Sequence, residues 1–138
     1  MQPIEKKYNI LLVDDHKQFL DGLEIFLTRD GNYNIINKFL SGTELLKSNQ
    51  IAEADVILLD IEMPEMNGKE TAKEILSEYP DKKLLAVTLY KEKIYLFDLV
   101  SIGFKGCVFK DEIHIKLKTA IKEIIKGNLY FPESIAIK

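Results

Sequence analysis

"LLDIEMPEMNG", residues 58–68, is the stretch on which the fold turns. Leu58 and Leu59 close an apolar run that opens at Val56 and ends in a carboxylate, Asp60. A short run that is apolar throughout is what a strand covered on both faces needs. Pro64 and Gly68 shape the loop that follows, and Met63 reads as packing. Asn67 can cap a helix running to about Tyr79, where Pro80 stops it. An acidic group is thereby fixed at the tip of a rigid strand, beside a stiff turn.

Outward from this unit the same alternation recurs. Residues 8–13 (YNILLV), 83–88 (KLLAVT) and 106–109 (GCVF) read as further apolar strands, and 33–39 (YNIINKF) as a more polar one. Helix-period segments lie between them. Phe19, Leu23 and Phe26 recur at helical spacing in 17–29, and Ser41-Gly42-Thr43-Glu44 forms a capping-box pattern before Leu45 and Leu46. Residues 91–102 end at Gly103, and Ile113, Leu117, Ile121 and Ile124 share one face of 112–126 ahead of Gly127. Five strand–helix units in succession predict an α/β three-layer sandwich, a parallel five-stranded sheet with helices on both faces. The polar second strand suits an edge, and the order 2-1-3-4-5 follows for a chain this short.

The 138 residues suit one domain, and 46% hydrophobic residues exclude a disordered chain. The net charge of -3 excludes a chain-wide basic surface for nucleic acid. The single cysteine, Cys107, has no internal disulfide partner and fits a reducing compartment. No apolar run nears the roughly 18 residues of a membrane span. A cytoplasmic protein without membrane contact is expected, with residues 1–128 as the domain and 129–138 as a C-terminal tail or the start of a linker.

In sheets of this kind ligands bind beyond the carboxyl ends of the strands. Asp14 and Asp15 end the first strand, Asp60 the third, Thr88 the fourth and Lys110 the fifth. Carboxylates so placed repel one another and require a cation. Hard oxygen donors without a His/Cys set favour Mg²⁺, with Mn²⁺ also allowed. Open coordination positions on such an ion suit a phosphoryl oxygen, while Lys110 offers a second positive charge and Thr88 a hydroxyl. Any one of these residues alone is also explained as a turn former or helix cap. The chemistry rests on all of them falling on one edge. His16 and His114 read as surface residues, neither at zinc spacing.

The motifs ILLVDDH (10–16), VILLDIEMPEMNG (56–68), AVT (86–88) and GCVFKD (106–111) together resemble a bacterial two-component response-regulator receiver domain, over residues 7–127. The resemblance implies the flavodoxin-like (βα)5 fold. It also implies that Asp60 accepts a phosphoryl group from a sensor histidine kinase. Asp14 and Asp15 would organise Mg²⁺, with Asp15, Asp60 and the backbone carbonyl of Glu62 as direct ligands. Lys110 would pair with the phosphoryl oxygens, and Thr88 would carry the switch. Such a domain is a signalling switch with at most self-phosphorylation and autodephosphorylation activity, not an enzyme. DDHKQFLDGL (14–23) and AIKEIIKGNLYFPESI (120–135) resemble the subgroup that precedes LuxR-type helix-turn-helix domains. That points to phosphorelay control of transcription, to DNA reached only through a separate output domain, and to an excised fragment ahead of a stand-alone receiver. It leaves room for a homodimer.

Four positions depart from the pattern or modulate it. Leu89 stands where the family carries a small residue after the threonine, so its bulk is expected to narrow the path to Asp60. Cys107 occupies a place where receivers often carry a rotating Tyr or Phe, and it reads as a small buried hydrophobe. Glu62 and Tyr90 are expected to tune water access to the phosphoryl group. Residues 91–103 carry Ile94, Tyr95, Leu96, Phe97, Leu99, Val100 and Ile102, more than one face can hold, so part of that helix is expected at the surface as a contact face. Two alternatives stay open: a degenerate receiver that only binds protein, and a Mg²⁺-dependent aspartyl phosphatase. The latter is weakened by Glu62, where such enzymes carry an Asp, and by the lack of a cap domain. A flavin site is disfavoured, since no Ser/Thr/Gly-rich phosphate loop follows the first strand.

Overall fold

In the computed structural model, which describes residues 7–63 and 66–135, each apolar run of the sequence becomes a strand. These are β1 (Tyr8–Val13), β2 (Tyr33–Phe39), β3 (Val56–Asp60), β4 (Leu84–Thr88) and β5 (Gly106–Phe109). They pair in parallel in the order β2-β1-β3-β4-β5, as the alternation predicts. Pro64, part of the expected turn, and residues 136–138 of the expected tail lie outside the described residues.

The helices are α1 (Lys17–Thr28), α2 (Gly42–Lys47), α3 (Gly68–Glu78), α4 (Lys93–Ile102) and α5 (Ile113–Ile125). Side chains alternate across each strand and so divide the core in two. Ile10, Leu12, Leu58, Leu85, Val87 and Val108 pack under α1 and α5. Leu11, Val13, Ile57, Leu59, Ala86 and Cys107 pack under α2, α3 and α4. β3 and β4 are buried at every position, whereas β2 is mostly half-exposed, as an edge strand must be.

Local chemistry explains the helix ends. Asn67 accepts the Glu70 N–H at 3.0 Å and Glu70 reaches back to the Asn67 N–H at 3.4 Å, a complete capping box on α3. Ser41 caps α2 by accepting from the Glu44 N–H. α4 begins two residues later than the sequence pattern predicts and has no side-chain cap. α5 begins after a 3₁₀ turn over Lys110–Glu112.

The segment after α5 is more ordered than a linker pattern implies. Tyr130 bridges Gly106 in parallel, its N–H donating to Lys105 O at 3.0 Å and its carbonyl accepting from Cys107 N–H at 2.8 Å. Gly106 permits this approach, since a Cβ there would stand 2.6 Å from the Tyr130 carbonyl oxygen. Phe131 and Ile135 then pack into the core under α4, with Ile135 buried. The otherwise open edge of β5 is thus covered.

Candidate functional site

The parallel sheet brings its carboxyl ends to one edge, and register fixes what meets there. Val13 lies beside Leu59, Asp60 beside Val87, and Thr88 beside Phe109. The next residues of β1 and β5, Asp14 and Lys110, therefore reach the same place as Asp60. Asp14, Asp60 and Thr88 are the buried polar side chains of this edge. Gly68, the first residue of α3, packs directly on the end of β3: its N–H donates to Ile61 O at 3.0 Å, and a Cβ there would collide with the Asp60 carbonyl oxygen.

Lys110 joins the carboxylates. Its Nζ lies 3.0 Å from Asp14 Oδ2 and 3.4 Å from Asp60 Oδ2, with the Phe19 ring 5.0 Å away. Asp60 is pushed up to about 7, chiefly by burial and then by the Asp14 charge, while Lys110 and the Glu62 N–H at 3.2 Å pull the other way. Burial opposes the Lys110 charge, yet Asp14 and Asp60 together hold its ammonium above the usual lysine range.

The donor chemistry fits a hard divalent cation. Asp14 Oδ2, Asp15 Oδ1 and Asp60 Oδ2 are buried side-chain oxygens without a hydrogen-bond partner, although Lys110 stands at ion-pair distance from two of them. Buried carboxylate oxygens left in this way gain most from a cation. One donor atom each from Asp14, Asp15 and His16 lie within 4.8 Å of one another. The sequence reading set His16 aside as a surface residue. Its ring is indeed exposed, but Nδ1 stands 3.1 Å from Asp14 Oδ1 and 3.2 Å from Asp15 Oδ1. A ring this close to both acids is not legible in the sequence alone, beyond its adjacency to the pair.

The β4–α4 side of the site differs. Thr88 Oγ1 donates to Glu62 Oε2 at 2.7 Å, and the Leu89 N–H donates to Glu62 Oε1 at 3.2 Å. The Leu89 side chain is 59% exposed, so its backbone rather than its bulk engages the site residues. Tyr90 stacks on Tyr95 of α4, ring centroids 5.2 Å apart. Cys107 is buried in the core, its thiol pushed up to about 12 by burial and then by the Glu62 charge, which leaves it an unreactive packing group. His114 lies on the surface with its ring edge-on to Phe26.

The chain resembles known proteins over most of its length. The family model "Response regulator receiver domain" matches residues 10–122. The chain is 28% identical over 126 residues to the transcriptional regulatory protein DegU of Brevibacillus brevis, covering 91% of this chain and 53% of that protein. It is 30% identical over 132 residues to the nitrate/nitrite response regulator protein homolog of Haemophilus influenzae, covering 96% of this chain and 64% of the relative. It thus spans between about half and two thirds of the length of these curated relatives. In fold it resembles the crystal structure of a LuxR-family two-component response regulator from Aurantimonas sp. SI85-9A1, with a TM-score of 0.87 at 22% identity, over 94% of this chain and 93% of that one. Among the described residues, no helix is long and apolar enough to cross a membrane.

Proposed function

This chain belongs to the response regulator receiver domain family, and from that premise we propose that Asp60 accepts a phosphoryl group from a sensor histidine kinase. The observation that carries the reading is the Lys110 ammonium between Asp14 and Asp60, among buried carboxylate oxygens that lack hydrogen bonds. In the transfer, an Asp60 carboxylate oxygen forms a bond to phosphorus, the bond from phosphorus to the donor imidazole nitrogen breaks, and the imidazole leaves with the electron pair. Asp14, Asp15, Asp60 and the Glu62 carbonyl would hold Mg²⁺. When bound, that ion supplies positive charge against the phosphoryl oxygens and against the clustered acids. Lys110 stays close to Asp60 and pairs with a phosphoryl oxygen, and the Thr88 hydroxyl is the donor that turns toward the new group.

Phosphorylation places roughly -1.5 to -2 of charge where a single carboxylate stood. A domain that answers this change by moving Thr88 biases the surface around α4 and β5. In this reading the domain is a cytoplasmic phosphorelay switch, and its output is control of transcription through a separate DNA-binding domain. The exposed part of α4 (Ile94, Tyr95 and Phe97) offers a face for that domain or for a second copy.

Incubation with Mg²⁺ and acetyl phosphate, followed by intact-protein mass spectrometry, tests the proposal. A single phosphoryl adduct that disappears in Asp60→Asn is the expected result. Turnover of unrelated phosphate esters would replace the switch with an aspartyl phosphatase. No adduct, even with a cognate kinase, would leave a binding module.

A further inference from the structure

A hydroxyl has one proton to donate, and in this structure the proton of Thr88 is already committed. Thr88 Oγ1 donates to Glu62 Oε2 at 2.7 Å, the short distance of a bond to a charged acceptor. The other oxygen of the same carboxylate accepts the Leu89 N–H at 3.2 Å, and Thr88 Oγ1 itself accepts the Tyr90 N–H at 3.0 Å. One carboxylate therefore holds two consecutive residues, Thr88 and Leu89, and the Thr88 hydroxyl in turn holds the Tyr90 N–H. The main chain of Glu62 meanwhile faces the acceptor, its N–H on Asp60 Oδ1 at 3.2 Å. The residue that touches the acceptor through its backbone restrains the switch through its side chain.

Building on the reading of Asp60 as phosphoacceptor, we propose that Glu62 is a latch, its carboxylate competing with the Asp60 phosphoryl group for the Thr88 hydroxyl and holding residues 88–90 in the unphosphorylated arrangement. Thr88 cannot donate to both, so moving toward the phosphoryl group costs the Glu62 bond. Release then has a path outward. Tyr90 stacks on Tyr95, Lys69 lies 4.8 Å above the Tyr95 ring, and Lys69 pairs with Asp98 at 2.7 Å. Tyr90, Tyr95 and Lys69 flank a cleft of about 200 Å³ that opens between α3 and α4 beside Thr88. The aromatic coupling that Cys107 cannot supply is provided here by Tyr90 and Tyr95. The phosphoryl group shifts the equilibrium only by its advantage over Glu62, so the latch sets how much of the chain is active at rest.

The test is titration of the full chain with beryllofluoride and Mg²⁺, followed by ¹⁵N-resolved NMR of the Leu89 and Tyr90 amides. Glu62→Ala should bind the phosphoryl mimic ~5-fold more tightly than the wild type, the factor expected for one lost hydrogen bond of net ordinary strength. Its free-state Leu89 and Tyr90 signals should lie part-way toward those of the loaded wild type. Glu62→Asp keeps the charge but loses the reach, and should behave like Glu62→Ala. Glu62→Gln keeps one acceptor oxygen for the Thr88 proton but loses the charge and the second acceptor, and should fall between wild type and Glu62→Ala. In a Thr88→Ala background Glu62→Ala should add nothing. Equal tightening in Glu62→Ala and Glu62→Gln, with none in Glu62→Asp, would overturn the latch in favour of simple charge repulsion. Unchanged affinity in all three would overturn it outright. A wild type that takes up neither beryllofluoride nor phosphate would instead remove the phosphoacceptor reading, and the latch with it.

Discussion

Two halves of the strand-end edge are built on opposite principles. The half made by β1, β3 and β5 is a buried charged well: Asp14 and Asp60 are each 1% exposed, with Lys110 between them. The half made by β4 and α4 is an exposed lip: Leu89, Tyr90 and Ile94 are 59%, 47% and 77% exposed. The well is pinned by packing, with α3 capped on both sides of its first turn and Gly68 set against the Asp60 carbonyl. The lip is held by the Glu62 carboxylate, a tyrosine stack and an ion pair at the surface, and α4 has no side-chain cap. A signalling domain needs both: a rigid place where charge changes and a weakly held element that responds.

This contrast predicts large effects in the well and small ones on the lip. Asp60 gives the largest. A carboxyl raised from its ordinary 3.8 to about 7 is favoured in its neutral form by the fold. Its stabilising contribution is complete below the unfolded value and is lost as pH rises through about 7. Metal-free wild type should therefore lose stability between roughly pH 4 and pH 7, whereas Asp60→Asn should not. At pH 8 the variant should be more stable by on the order of 2–4 kcal/mol in urea unfolding, and added Mg²⁺ should narrow the gap.

Of similar size and opposite sign is Lys110→Met, which leaves the buried Asp14 and Asp60 facing each other without their cation. Breaking such a pair should cost about 2–4 kcal/mol at neutral pH in the same assay. Gly68→Ala should cost about 1–3 kcal/mol, because β3 cannot retreat from the added methyl. At the lip, Lys69→Ala removes a partly exposed ion pair and a cation–π contact, and should change stability by no more than about 1 kcal/mol. A loss at Lys69 as large as that at Lys110 would erase the distinction between the halves.

The well was largely legible in the sequence because its determinants are local. An apolar run ending in an acid states both the strand and the group at its tip. Parallel pairing then gathers Asp14, Asp60, Thr88 and Lys110 with no further information needed. Asn67 signalled the start of α3 for the same reason. The lip was legible only in part: the overfull apolar pattern of 91–103 announced its exposure, but not the contacts that hold it. Glu62 and Thr88 are 26 positions apart, and neither the loop after β3 nor the one after β4 has a periodicity to place its side chains. The stack of Tyr90 on Tyr95 spans a loop and the first turn of α4. The packed segment after α5 did leave a trace, in Tyr130, Phe131 and Ile135, apolar residues too dense for a solvated linker. Its pairing with β5 depends on the bare backbone of Gly106, a tertiary fact that no local pattern carries.

The most direct test of the central claim is chemical localisation of the phosphoryl group. After reaction with acetyl phosphate and Mg²⁺, borohydride reduces an aspartyl phosphate to homoserine, which peptide mass spectrometry locates. The account predicts homoserine at position 60 and nowhere else, dependent on Mg²⁺. Reduction at Asp14 or Asp15 with position 60 untouched, or a phosphate that resists borohydride, would contradict it.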